Sequence, residues 1–123
     1  MQRITTLNKW CEVLEQSMFK PCLVLKISMT CISSISALKE YKELQTELPK
    51  YLVIVQMDRV ISNAIACDLQ VKHESPQLII LQGGKGIWQA THYKIKHSLL
   101  ENAIEQYVKK RYSTIGCGVS LCD

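Results

Sequence analysis

The sequence has no long hydrophobic run. Apolar stretches such as residues 52–55 and 78–81 are far shorter than the ~20 residues that a membrane-spanning helix requires. Residues 1–20 mix Asn, Lys, Glu and Gln among the apolar positions, which excludes the hydrophobic region of a secretory signal. We therefore expect a chain with no membrane partner and a cytoplasmic location.

The sequence also lacks a dense stripe of one charge. Its 15 Lys and Arg residues against 11 Asp and Glu residues leave a net charge of +4, which is small for a nucleic-acid binder. The one basic run, residues 109–111, closes an apolar-periodic segment, where cations complement the C-terminal end of a helix. We expect no nucleic-acid partner.

Cysteine is present but too sparse for a disulfide scaffold. The six cysteines are about one residue in twenty, below the roughly 8–10% typical of stapled mini-proteins. With 123 residues and 47% apolar content, the chain is long enough for one core that needs no staples. We predict reduced thiols in a single domain over residues 1–111, followed by a flexible, cysteine-containing tail over residues 112–123.

Hydrophobic spacing predicts the first half of the fold. An amphipathic helix is indicated by apolar residues three and four apart, namely Ile4, Leu7, Trp10, Leu14 and Met18. Residues 22–27 form a nearly continuous apolar run typical of a strand buried on both faces, and residues 51–57 form a second. A helix between these strands, which completes a parallel β-α-β unit, is indicated by Ile35, Leu38, Tyr41, Leu44 and Leu48.

The second half predicts a hairpin and a final helix. Asp58 is placed to cap a short third helix, and a strand over residues 77–82 follows a proline. Two glycines then connect to an antiparallel strand over residues 87–91, and Ser98 is placed to cap the last helix. The order α-β-α-β-α-β-β-α predicts an α/β, thioredoxin-like fold with a four-stranded mixed sheet flanked by helices.

Cys31 is the strongest candidate for chemistry. It follows the first buried strand and stands at the start of a helix, at the end of the sheet where open α/β folds bind ligands. Unpaired backbone N–H groups and the helix dipole lower the pKa of a thiol there. Hydroxyls at Thr30, Ser33 and Ser34 stand close enough to add hydrogen bonds. A small buried core cysteine is the alternative interpretation.

The residue three positions after Cys31 is Ser34 rather than cysteine. In a Cys-x-x-Cys motif the second thiol resolves the mixed disulfide, whereas a serine leaves it to an external thiol. This pattern predicts monothiol exchange, which suits removal of a small thiol from a protein. Ser34 is equally a capping hydroxyl of the first helical turn.

Ser75 and Pro76 stand directly before a predicted strand. A proline is tolerated at the first residue of a strand, and thioredoxin-like folds hold a cis-proline at this place, beside the active cysteine. Such a bond frees the Ser75 backbone to pair with an extended substrate segment. Without the fold, Pro76 is simply a strand starter.

The other cysteines have weaker claims. Cys11, Cys22 and Cys67 lie in or beside apolar patterns and are predicted to pack. Cys117 and Cys122 lie in the tail, from which either one is an alternative resolving thiol. These two cysteines are only half of a zinc site, and we expect no metal, because the paired short spacing of a zinc module is missing from His73, His92 and His97.

A resemblance to a known family extends over about residues 7–104. It is carried by four segments: Thr30-Cys31 with Ser34, Val-Ile-Ser-Asn-Ala-Ile-Ala at 60–66, Val-Lys-His-Glu-Ser-Pro-Gln at 71–77, and Gly83-Gly-Lys with Trp88 and His92. Together they resemble the YtxJ-type monothiol bacilliredoxins, also called bacillithiol system redox-active proteins. The family usually has Thr-Cys-Pro-Ile-Ser, so Ile32 stands where a proline is expected.

The resemblance implies a thioredoxin-like fold and a thiol-disulfide oxidoreductase. Cys31 would take bacillithiol from S-thiolated client proteins, with bacillithiol as a low-molecular-weight cosubstrate and no tightly bound cofactor. The substrate-binding residues would be Thr30, Ser34, Ser75 and Pro76. Two alternatives remain open, namely a dithiol enzyme that uses a tail cysteine and a non-catalytic binding module.

Overall fold

The structure, a computed structural model, describes residues 1–109. The predicted tail with Cys117 and Cys122 therefore lies outside the described residues. Five strands form one mixed sheet in the order β1-β3-β2-β4-β5. Their bounds are β1 Gln2–Arg3, β2 Cys22–Ile27, β3 Lys50–Ile54, β4 Gln77–Gln82 and β5 Lys85–Thr91.

Four helices cover the two faces of the sheet. They are α1 Leu7–Gln16, α2 Ile32–Glu43, α3 Arg59–Leu69 and α4 His97–Ala103, which a π-helical turn, Ile104–Lys109, continues. Along β2, Leu23 and Leu25 pack in a cluster with α2 and α4, while Val24 packs in a cluster with α1 and α3. Since side chains alternate along a strand, this pattern puts one helix pair on each face. No helix among residues 1–109 is both long and apolar enough to cross a bilayer.

The central strand is buried along its whole length, as the continuous apolar run predicted. All six residues of β2 are buried, and β2 pairs with β3 in parallel and with β4 antiparallel. In the β4 pairing Lys26 lies opposite Gln77. Pro76, the residue before β4, is therefore next in sequence to the pair that lies at the end of β2.

The prediction of four strands misses β1. Gln2 and Arg3 pair in parallel with Tyr51 and Leu52 of β3, which makes the sheet five-stranded. Two residues carry no hydrophobic periodicity, so a pattern in the sequence cannot indicate such a short edge strand. An ion pair at 2.7 Å between Arg3 and Asp58 joins this edge to the start of α3. Asp58 holds the predicted capping position, but its side chain makes no capping hydrogen bond.

The first helix is shorter than its predicted apolar stripe. The Thr6 hydroxyl accepts a hydrogen bond from the Lys9 N–H at 3.0 Å and so caps α1. Ile4 is fully buried but precedes the helix, and Met18 is 62% exposed beyond its end. The buried face of α1 consists of Trp10 and Val13.

The ends of two other helices also differ from the prediction. α2 ends at Glu43 instead of continuing through Leu48, since its last apolar positions already lie in the loop before β3. The residue in the capping position before α4 is Lys96 rather than Ser98, and the Glu40 carboxylate accepts the His97 N–H there at 2.8 Å. A partner from a neighbouring helix therefore replaces a local serine cap.

The turn between β4 and β5 needs the two glycines that the sequence supplies. Gly83 and Gly84 have φ angles of 63° and 74°, which only glycine adopts without strain. Ser17, which is buried, accepts their N–H groups with its carbonyl and hydroxyl oxygens at 2.7 and 2.9 Å. These bonds attach the predicted hairpin to the end of α1.

Candidate active site

Cys31 lies between the end of β2 and the start of α2. It has extended backbone angles (φ −103°, ψ 125°) and occupies the residue immediately before the helix. Its carbonyl accepts the Ser34 N–H at 3.0 Å in the first helical turn. The predicted position at a helix start is confirmed, and the residue is partly exposed.

The Cys31 sulfur has a hydroxyl within hydrogen-bond distance. The Ser33 Oγ atom lies 2.9 Å from Sγ. Hydrogen bonds from the Ser33 hydroxyl, and next from the Ser34 backbone N–H, lower the pKa of the Cys31 thiol, while desolvation acts in the opposite direction. A larger fraction of this thiol than of an ordinary cysteine is therefore ionised at neutral pH. The thiolate is the nucleophile in disulfide exchange.

The other two predicted hydroxyl neighbours of the thiol, Thr30 and Ser34, bond to the loop before Cys31. Ser34 is 1% exposed, and its Oγ accepts the Ser28 N–H at 2.9 Å. The Thr30 hydroxyl lies 3.2 Å from the Ser28 hydroxyl. Both side chains therefore bond to the loop before Cys31, and their predicted role in binding substrate stays a prediction.

Gln56, which follows β3, holds this loop from the neighbouring strand. Its Nε2 donates to Ser28 Oγ at 2.6 Å and to Thr30 Oγ1 at 3.3 Å, and its Oε1 accepts the Met29 N–H at 3.0 Å. No sequence motif singled out Gln56. Its position after a strand parallel to β2 was the available signal, because such strands end at the same edge of the sheet.

Ser75 and Pro76 lie beside the end of β2, and the peptide bond between them is cis. Pro76 is buried, and its carbonyl accepts the His92 N–H at 3.1 Å. The Ser75 Oγ atom is enclosed and has no hydrogen-bond partner among the described residues. The sequence left the isomer of this bond open, and the structure has it cis before β4, as in other thioredoxin-like folds. Contact of Ser75 and Pro76 with substrate stays a prediction.

A buried lysine reaches the segment that carries this proline. Lys26 of β2 is 0% exposed, and its Nζ lies 2.8 Å from His73 Nδ1 and 3.4 Å from the Ser62 carbonyl. Burial lowers the pKa of Lys26 to about 8. From the sequence, His73 was weighed as a metal ligand and as part of the segment that resembles the family, while Lys26 was placed in a strand without a role.

The other cysteines of the described region differ from the prediction that all three pack. Cys22 is buried, and burial raises the pKa of its thiol to about 12. Cys11 and Cys67 are exposed. Each lies on its helix beside, and not on, the face that packs, because α1 buries Trp10 and α3 buries Ile65.

One cluster among residues 1–109 has the side-chain types of a metal site. The ligand atoms of Glu40, Glu43 and His97 lie within 4.8 Å of one another. Glu40 Oε1 accepts hydrogen bonds at 2.8 Å from both the backbone N–H and the ring Nδ1 of His97. These bonds join α2 to α4, so the cluster has a structural explanation.

Comparison with known proteins agrees with the fold. Residues 2–100 match the family described as monothiol bacilliredoxin BrxC. A solved thioredoxin-fold structure is 32% identical, with a TM-score of 0.75 over 82% of this chain and 90% of that chain.

Two thioredoxins are more distant in sequence and show the fold alone. Those of Malassezia sympodialis and Fasciola hepatica are 17% and 14% identical, each with a TM-score of 0.68. They cover 87% of this chain, and 90% and 99% of their own. The expected family and thioredoxin-like α/β fold are confirmed: this chain belongs to the monothiol bacilliredoxin BrxC family and has the fold of a thioredoxin-like oxidoreductase.

Proposed function

We propose that this protein removes bacillithiol from S-bacillithiolated client proteins through a mixed disulfide at Cys31. The observation that carries the proposal is the Cys31 thiol at the start of α2, with the Ser33 hydroxyl at 2.9 Å and a serine in the place of a resolving cysteine. The family to which the chain belongs supports a thiol redox role for this site.

The reaction proceeds in two exchanges. The Cys31 thiolate attacks the bacillithiol sulfur of the client's mixed disulfide, the client cysteine leaves as a thiolate, and a Cys31–bacillithiol disulfide forms. A second bacillithiol, as its thiolate, then attacks the bound bacillithiol sulfur. The products are bacillithiol disulfide and the Cys31 thiolate, so the second bacillithiol is the reductant.

The surroundings of the thiol suit the first exchange. The lowered pKa of Cys31 increases the thiolate fraction at neutral pH, and it also makes Cys31 a better leaving group in the second exchange. Bacillithiol carries a malate group, and the N-terminal end of α2 and a net charge of +4 favour an anionic thiol. Thr30 and Ser34 shape the loop that presents Cys31 to it.

A protein client would meet an apolar surface at this site. Exposed large apolar side chains flank Cys31 in sequence or follow the adjacent strand β3, namely Met29, Ile32, Ile35, Met57 and Val60. An apolar surface of this kind is typical of a protein-binding region. The backbone of Ser75, held by the cis bond to Pro76, offers hydrogen bonds to an extended client segment.

The test is release of bacillithiol from a purified S-bacillithiolated protein, with bacillithiol as reductant and the products resolved by mass spectrometry. Cys31→Ser is expected to abolish release, whereas the exposed-cysteine controls Cys11→Ser and Cys67→Ser are expected to retain it. A bacillithiol adduct on wild-type Cys31 is the expected intermediate. Undiminished release by Cys31→Ser, or a disulfide between Cys31 and Cys117 or Cys122 as the main intermediate, contradicts the monothiol mechanism.

A further inference from the structure

Lys26 is an unusual residue for the centre of a sheet. β2 has neighbours on both sides, all six of its residues are buried, and Lys26 is 0% exposed. A buried ammonium group is costly unless it is paired. Among the described residues no carboxylate forms an ion pair with Lys26, so neutral acceptors must compensate for its burial.

The strongest of these acceptors is the imidazole of His73. The Nζ of Lys26 lies 2.8 Å from His73 Nδ1, compared with 3.4 Å from the Ser62 carbonyl oxygen. An ammonium group only donates hydrogen bonds, so His73 must present a bare Nδ1 and carry its proton on Nε2. The hydrogen bond therefore selects one tautomer of His73.

The charges around His73 keep this arrangement at neutral pH. Desolvation, followed by the positive charges of Lys26 and Arg59, lowers the pKa of His73, and the nearby Glu74 acts in the opposite direction. His73 is therefore neutral and able to accept. Lys26, whose pKa of about 8 lies above neutral pH, is charged and able to donate.

His73 belongs to the segment that leads into Ser75 and Pro76. This segment, residues 70–76, connects α3 to β4 and is itself exposed at His73. A second buried side chain, Gln77, donates from Nε2 to the Lys72 carbonyl at 3.0 Å. Lys26 and Gln77 are both buried and lie opposite each other in the sheet. Each makes a hydrogen bond to this segment.

We infer that Lys26 is a positioning residue, which acts through His73 to set the place of the Ser75–Pro76 backbone relative to Cys31. The inference rests on the proposed function in that Ser75–Pro76 guides the client. Strand pairing places Lys26 close to both parts of the site. Lys26 is five positions before Cys31 in sequence and pairs with Gln77, the residue after Pro76. The hydrogen bond to His73 consequently links the strand that ends near the nucleophile to the segment that binds the client.

The kinetic test uses a short peptide whose cysteine carries bacillithiol, compared with hydroxyethyl disulfide, which is too small to pair with the Ser75 backbone. We expect Lys26→Met to raise KM for the peptide about tenfold, the size expected for one charge-assisted hydrogen bond. The kcat, the rate with hydroxyethyl disulfide and the pH profile of Cys31 alkylation should each stay within about twofold. Replacing a buried cation by an apolar side chain of similar length is compatible with folding.

His73 variants and a matched lysine control make the test specific. His73→Ala should raise KM as much as Lys26→Met, and the double variant should be no worse than either single variant. His73→Asn, which returns an acceptor near the position of Nδ1, should restore KM to within about threefold of the wild type. Lys85→Met removes the same charge from an exposed position at the start of β5, the end of that strand away from Pro76. It should leave KM unchanged.

A spectroscopic measurement separates the inference from the proposed function. In wild-type protein, ¹⁵N spectra of the His73 ring should show the tautomer with its proton on Nε2, and Lys26→Met should replace it with a mixture of tautomers. An unchanged His73 spectrum or an unchanged peptide KM in Lys26→Met overturns the inference. Failure of the wild type to release bacillithiol from the peptide overturns the proposed function, and the His73 spectrum then still decides whether Lys26 holds this segment.

Discussion

The Ser33 hydroxyl oxygen lies 2.9 Å from the Cys31 sulfur, two residues away across the first turn of α2. This contact is the main reason that the pKa of Cys31 is lowered. It depends on the helix beginning at Ile32, because the turn brings residues 31 and 33 onto one end of the helix. Ser33 is itself 4% exposed and is thereby held in place.

Replacing Ser33 by alanine should therefore raise the pKa of the Cys31 thiol. Alkylation by iodoacetamide requires the thiolate, so its rate rises as pH passes through the pKa and then levels off. In Ser33→Ala this rise should occur at higher pH than in the wild type, with a several-fold lower rate at neutral pH. Ser36→Ala on the same helix is the control, and identical pH profiles for Ser33→Ala and wild type would refute this role of the hydroxyl.

The loop before Cys31 should lose order when Gln56 is truncated. Gln56→Ala removes both side-chain donors and the acceptor that bind residues 28–30. Because Gln56 is exposed, we expect a loss of only about 1 kcal/mol in the free energy of unfolding. Urea denaturation measures it, and protease sensitivity at residues 28–30 should increase. Gln45→Ala, at an exposed position in the loop after α2, should change neither quantity.

Lys26 should make the stability of the protein depend on pH in the alkaline range. Burial lowers its pKa from 10.5 to about 8 in the folded state. Between these two values the unfolded chain binds the extra proton, so this group makes the wild type more stable as pH rises. The contribution over that range is about 3 kcal/mol.

Comparison with Lys26→Met isolates this contribution from other groups. Cys22 acts in the opposite direction above pH 9, because its thiol has a pKa of about 12 in the fold, and it is common to both proteins. Urea denaturation from pH 7 to pH 10.5 should show the stability of Lys26→Met relative to wild type falling steadily. A difference that is independent of pH would show that folding does not lower the pKa of Lys26.

Alkylation of the native protein should separate its thiols by environment. At neutral pH we expect Cys31 to react first, the exposed Cys11 and Cys67 to react more slowly, and Cys22 to react only when the protein unfolds. Peptide mapping after timed quenching gives this order. Modification of Cys22 at the rate of Cys11 would contradict the packing of β2 against α1 and α3.

Much of the fold follows from local patterns. The bounds of β2 and β4 were predicted to the residue. Each strand is a nearly continuous apolar run that directly follows a proline and ends at polar or glycine residues. Cys31 was placed at a helix start from a local pattern too, because it follows the apolar run of β2 and precedes residues with helical spacing. The first helix was predicted less well, since Ile4 is buried by β3 and the sheet rather than by a helical stripe.

The candidate site also has some features that depend on local sequence and others that depend on distant contacts. The candidate nucleophile Cys31, the missing second thiol at position 34 and the proline before β4 could all be read from the sequence, because each depends on neighbours within a few residues. How these residues are held depends on contacts between distant parts of the chain. Gln56 and Ser28 are 28 residues apart, and Lys26 and His73 are 47 apart. Their hydrogen bonds exist because parallel and antiparallel pairing bring the ends of β2, β3 and β4 to one end of the sheet, where the buried ammonium group of Lys26 also requires a partner.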